Sequence, residues 1–137
     1  MSVISEDYRP TDDEPFMNER QLAYFRKKLL DWKNEILSQS KLTIEQMQSE
    51  SLQMADPADR ASSETDHSLE LRTRDRQRKL ISKIDSAIRR IDSGEYGYCE
   101  ATGEPISLRR LEARPTATMS LEAQEMHERR EKVHRDD

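Results

Sequence analysis

Three groups of residues in this sequence have types and spacings that could do chemistry. The first is Asp56 and Asp59, three positions apart in the stretch ADPADRA. Two carboxylates so placed can hold a divalent cation or make charge-assisted hydrogen bonds to a basic partner. They serve equally as turn and helix-cap residues around Pro57, and spacing alone favours that plainer use. The second group lies in LELRTRDRQRKL, where Arg72, Arg76 and Lys79 recur at spacings of four and three. Such a cluster can meet phosphate, nucleic acid or an acidic protein surface. Balanced by Glu70 and Asp75, it also reads as an ordinary solvated face. The third is Cys99 in CEAT, with Thr102 where the second cysteine of a CxxC pair would stand, and SLEA, with Ser120 and Ala123 at the places of another pair. A tetrahedral zinc needs four ligands of thiolate or imidazole type, and hydroxyl and methyl groups cannot stand in for them. His127 and His134, on a charged helix, read as solvated side chains. No metal site is therefore expected.

Catalysis finds little to stand on. The chain has no glycine-rich phosphate loop, no metalloprotease helix motif and no nucleophile paired with its base. Cys99 is the one cysteine, which excludes an intramolecular disulfide and reads as a small buried residue in a reducing compartment. The chain is expected not to be an enzyme.

The elements that must position these residues are helices. The sequence has 137 residues, room for one domain. It is 33% hydrophobic and 37% charged, against roughly 45–50% and 25% in globular chains. A large round core is excluded by that shortage, whereas long helices that each bury a single stripe are not. Asn18 is a helix cap with Gln21 three residues on. Leu22, Phe25, Leu29, Trp32 and Ile36 then alternate at spacings of three and four, and the pattern drifts to Leu37, Ile44, Met47 and Met54. One helix of about 35 residues, on the order of 50 Å long, follows. It should end at Asp56, before Pro57. A second helix is predicted from Ser62 or Ser63 to Ser93, stopped by Gly94, with Leu69, Leu71, Leu80, Ile81, Ile84, Ala87, Ile88 and Ile91 as its apolar positions. Two long helices with so short a break fold back as an antiparallel hairpin, tip at 55–61. Residues 95–118 carry turn residues and short extended pieces near Tyr98 and Ile106. A last helix is predicted from Ser120 to Arg135.

Residues 1–17 are acidic, hold Pro10 and Pro15 and show no period, and are predicted to form a flexible arm. The net charge of −5 argues against a dedicated nucleic-acid binder. Neither a membrane span nor a signal peptide is legible, so a soluble, cytoplasmic protein is expected.

Taken together, DPADRASSETDHSLELRTRDRQRKLISKID and GEYGYCEATGEPISLRRLEARPTA resemble the DksA/TraR family of RNA polymerase secondary-channel regulators, over nearly the whole chain from Asn18 onward. The resemblance implies a mainly α protein: a long antiparallel two-helix coiled-coil hairpin over 18–93, and over 94–137 a small degenerate zinc-finger-like region with a C-terminal helix. It implies bacterial RNA polymerase as partner and a role in the stringent response, inhibiting ribosomal RNA promoters and assisting amino-acid biosynthesis promoters. The family's DxxDxA tip, which reaches towards the polymerase active centre, falls on Asp56, Asp59 and Ala61. The family's contacts to the shared effector ppGpp fall on Arg76, Leu80, Lys83 and Arg114, while a further basic position is Gln124 here. Of the four finger cysteines only Cys99 remains, with Thr102, Ser120 and Ala123 at the other places, so this chain resembles the zinc-independent members. No cofactor, no direct DNA binding, no membrane contact and a monomeric state are expected. The alternatives are a Gre-like transcript-cleavage factor, with the tip aspartates holding magnesium, and a general coiled-coil adaptor.

Overall fold

The computed structural model describes residues 4–53 and 57–136. Its elements are α1 (Glu19–Gln53), α2 (Pro57–Ser93), α3 (Leu108–Ala113) and α4 (Leu121–Asp136). Tyr98 and Pro105 form an isolated antiparallel bridge.

Helix α1 starts where its cap predicts. The Asn18 Oδ1 accepts the Gln21 backbone N–H at 2.9 Å, supplying one of the acceptors a helix start lacks. Gln21 does not return the bond to Asn18, as a capping box would. Its Oε1 accepts the Met17 N–H at 2.7 Å and its Nε2 donates to the Thr11 carbonyl at 3.2 Å. Helix α2 opens at Pro57, earlier than the predicted Ser62 or Ser63. A proline suits the first helical position, because its φ is preset and its missing N–H has no helical partner there anyway. At the other end Gly94 takes φ +82°. The Gly94 N–H bonds the Ile91 carbonyl at 3.3 Å and the Glu95 N–H bonds the Arg90 carbonyl at 2.9 Å, the paired closure of a Schellman cap.

The two long helices pack together, and the chain divides into two compact units. The first gathers the chain up to Leu29 and from Ile84 onward. Its core is Phe25, Leu29, Ile84, Tyr96, Ile106 and Leu111, all fully buried. Phe25 meets Tyr96 with ring centroids 5.7 Å apart, and the Tyr96 hydroxyl donates to the Pro115 carbonyl at 2.7 Å. Burial with its one polar atom satisfied is how a tyrosine enters a core without an unpaired hydroxyl. The ion pair Lys28–Glu112, 2.8 Å, fastens α3 to α1, and Arg26 pairs with Asp92.

The second unit, Leu30–Lys83, holds the remainder of both long helices. Ile36 is buried there, and the Ser40 hydroxyl donates to Gln77 Oε1 at 2.7 Å. Leu37, Leu69 and Leu71, which fall on the apolar patterns of their helices, are exposed at 46%, 54% and 47%. Trp32 is half-buried.

Two further elements depart from expectation. Residues 108–113 form a helix, α3, inside the stretch read as turns; the Ser107 hydroxyl caps it by accepting the Arg110 N–H at 3.2 Å. Six residues are too few to show a period. The segment read as a flexible arm is anchored at Tyr8 and Met17, which are buried, with exposed residues between them. The Tyr8 ring meets Tyr24 edge-on at 5.9 Å and lies 3.9 Å under the Arg20 guanidinium. Its hydroxyl donates to Glu14 at 2.8 Å. Acidity and prolines hid three anchors, Tyr8, Phe16 and Met17, whose partners lie elsewhere in the chain.

Candidate functional site

Asp56 lies outside the described residues. Asp59 and Ala61 belong to the first turns of α2, their side chains likewise outside what is described. Arg76, Leu80 and Lys83 follow on the same helix at spacings of four and three, which places them on one side of it. Arg76 and Lys83 are exposed and Leu80 is half-buried. Arg114 belongs to the first unit, where it is exposed and closes α3, its N–H bonding the Arg110 carbonyl at 2.7 Å.

A groove that the sequence reading missed lies in the second unit, lined by Leu37, Ser40, Leu71, Arg74, Arg78 and Ile81. Arg78 pairs with Asp75 at 2.8 Å on its rim. The available signal was Leu71 in LEL, two residues from Leu69, a spacing that cannot put both leucines on one helical stripe.

The finger positions do come together. The Cys99 N–H bonds the Glu104 carbonyl and the Gly103 N–H bonds the Cys99 carbonyl, each at 2.8 Å, closing the first knuckle. The Glu100 N–H reaches the Thr118 carbonyl at 2.8 Å, tying that knuckle to the strand of chain before Ser120. Ser120 caps α4 as predicted, its Oγ accepting the Ala123 N–H at 3.2 Å, and Ala123 is buried. The Cys99 sulfur sits at the centre. Burial pushes its pKa up, but hydrogen bonds from the Thr102 hydroxyl and from the backbone N–H groups of Ser120, Thr102 and Ala101 outweigh burial and bring it down to about 6. Tyr98 is 38% exposed and its ring meets Phe16 edge-on, centroids 5.4 Å apart.

Comparison with known proteins bears on this arrangement directly. Residues 21–91 match the profile of the DnaK suppressor protein DksA N-terminal domain, and residues 94–129 that of the prokaryotic dksA/traR C4-type zinc finger. The chain belongs to the DksA/TraR family. It is 71% identical over 135 residues to the RNA polymerase-binding transcription factor DksA of Caulobacter vibrioides, covering 98% of this chain and 95% of that one. To the DksA of Escherichia coli K12 it is 45% identical over 127 residues, covering 93% and 84%. The solved structure of transcription factor DksA2 from Pseudomonas aeruginosa superposes with a TM-score of 0.81 at 40% identity, covering 88% of this chain and 95% of that one.

Membership implies zinc, and the residues present do not fit it. Of the four C4 positions in this DksA/TraR chain, one carries a thiol, two carry hydroxyls and one a methyl. The thiol is already surrounded by N–H and O–H donors, and the Ser120 oxygen is engaged with a helix end. Among the described residues no group of three or more His, Cys, Asp or Glu could hold a metal ion. His127, read as a solvated side chain, is exposed and lies 3.0 Å from Glu131 on its own helix. A chelator should therefore leave the melting temperature unchanged; a large drop on chelation would reveal a metal site.

The thiol makes a second prediction. Its folded pKa lies below the ordinary value of 9.0, so its contribution to stability is complete above pH 9 and is lost as pH falls towards 6. Thiolate absorbance in the ultraviolet should titrate near pH 6 in the intact protein, and Thr102→Val should move that midpoint upward. A midpoint near 9 in both proteins would remove the hydrogen-bonded thiolate.

The side-chain amide of Gln124 donates to Glu128 at 3.0 Å. The glutamine is used within α4.

Proposed function

We propose that this DksA/TraR chain is a regulator that binds bacterial RNA polymerase through the secondary channel and acts on transcription initiation without catalysing a reaction of its own. The observation that carries the reading is 71% identity, across 98% of the chain, to a relative named an RNA polymerase-binding transcription factor. In this reading the hairpin carries Asp56, Asp59 and Ala61 towards the polymerase catalytic centre, where carboxylates meet basic groups of the enzyme. Arg76, Leu80, Lys83 and Arg114 make the interface shared with ppGpp. Guanidinium groups bind phosphate bidentately and the Lys83 ammonium as a point charge, so response to the effector should weaken as salt rises. Inhibition of ribosomal RNA promoters and assistance of amino-acid biosynthesis promoters are the proposed outputs. The protein acts in the cytoplasm as a monomer, with neither DNA nor membrane as a direct partner.

The test is transcription in vitro from a ribosomal RNA promoter, with and without ppGpp, together with binding to purified polymerase. Asp59→Asn should keep the affinity and abolish inhibition, because contact area runs along the helices while the tip carries the effect. Equal loss of affinity and inhibition would refute that division. Shortening of the transcript in a backtracked complex would replace regulation by contact with metal-assisted cleavage.

A further inference from the structure

Loss of three zinc ligands leaves a question the finger residues do not answer by themselves: what holds the loop from Gly97 to Ile106 against the helices. Its internal backbone bonds are the Ile106 N–H to the Gly97 carbonyl at 2.7 Å and the Cys99 N–H to the Glu104 carbonyl at 2.8 Å, which together make the Tyr98–Pro105 bridge, and the Gly103 N–H to the Cys99 carbonyl at 2.8 Å. They close the loop on itself and do not hold it to the helices. In a C4 finger the metal joins two knuckles that have little core between them. Here the knuckles meet at a single thiol with hydrogen-bond donors around it.

We propose that the N-terminal segment, residues 8–17, is a strap that closes over this loop and does for it what the metal does in a C4 finger. Both ends of the strap are visible. On the loop side, Phe16 meets the Tyr98 ring edge-on at 5.4 Å. Met17 and Phe16 approach the Gly97 backbone so closely that a Cβ there would stand 3.0 Å from Met17 Cγ and 3.2 Å from Phe16 Cζ. Asp12 and Phe16 also border one hollow with Pro105, Ile106 and Leu108, which sets the strap beside the second limb of the loop. On the helix side, Gln21 is fully buried and grips the strap twice, through the Met17 N–H and the Thr11 carbonyl. Tyr8 is wedged between Tyr24 and Arg20. Glu14 gathers the Tyr8 hydroxyl at 2.8 Å and the Thr11 N–H and hydroxyl at 3.1 Å.

A tail lying passively on a surface does not need a fully buried glutamine dedicated to its main chain. A buried amide with two strap partners is costly to leave unpaired, which favours the closed strap. Met17 is the one described residue other than glycine with positive φ, +53°. That turn lets the chain enter α1 while Phe16 points at the loop, and it is sustained by the Gln21 bond to the Met17 N–H. The strap thus couples the finger remnant to α1, in a chain whose finger ligands cannot bind metal.

The experiment is amide hydrogen exchange on the full chain. In the double variant Tyr8→Ala, Phe16→Ala, the amides of Cys99, Gly103 and Ile106 should exchange at least tenfold faster, while those of Ile84 and Ala87 in α2 keep their rates. Unchanged rates at the three loop amides overturn the proposal. So does acceleration no greater than that at Ile84 and Ala87, which would make the strap ordinary core. A second variant adds Thr102→Cys, Ser120→Cys and Ala123→Cys to the double variant. Once this variant holds one zinc per chain, exchange at the three amides should return towards the parent rate; exchange that stays fast with zinc bound stoichiometrically overturns the equivalence of strap and metal.

Discussion

Replacing Leu29 by alanine should destabilise the protein by about 2–5 kcal/mol, the range for emptying a filled core site. Leu29 is fully buried in the unit that also holds Phe25, Ile84 and Tyr96. Its loss removes both transfer free energy and the contacts of the atoms around it. Since domains of this kind are stable by roughly 5–15 kcal/mol, that is a large share of the whole. A urea titration should show a lower midpoint at an unchanged slope. The control is Leu37→Ala: Leu37 is 46% exposed, so its loss should stay within about 0.5 kcal/mol. Similar midpoints for the two variants would mean that the core is misassigned.

The second large effect is expected at Gly97. Three glycines have positive φ, +82° at Gly94, +92° at Gly97 and +76° at Gly103, and a side chain at any of them costs about 1–2 kcal/mol of backbone strain. Only at Gly97 would a Cβ also collide, with Met17 Cγ, Met17 Sδ and Phe16 Cζ at 3.0–3.2 Å, while Gly94 and Gly103 have nothing within 4 Å. Met17 is buried, so its side chain has little room to give the few tenths of an ångström required. Overpacking adds about 1–3 kcal/mol. Thermal melts should rank Gly97→Ala well below Gly94→Ala and Gly103→Ala. Equal melting temperatures for the three would show that the close approach of the N-terminal segment is not maintained in solution.

These two variants probe different levels of the same molecule. Leu29 was legible as core from its place in the spacing of Leu22, Phe25 and Ile36. Gly97 was legible only as a turn, because what makes it irreplaceable is a side chain 80 positions earlier in the sequence. The candidate site divides in the same way. Arg76, Leu80 and Lys83 share a helical side, as four-and-three spacing dictates. The placement of Arg114 in another unit follows from α3, a helix too short to be read from period.

What the amino-acid sequence determined alone was everything set within a turn or two of chain. The cap at Asn18, the cap at Ser120, the Schellman stop at Gly94 and the long uninterrupted helices each depend on neighbours within about five residues. Absence of three finger thiols is likewise a matter of residue type. Tertiary structure decided which apolar positions would find cover and which, Leu69 and Leu71 among them, would stay in solvent. It also decided that an acidic, proline-bearing leader would lie on Tyr98 and Gly97, and that Cys99 would draw hydrogen bonds from Ser120, 21 positions away. The physical reason is that periodicity names a face of an element, whereas the free energy of burying that face belongs to two elements at once.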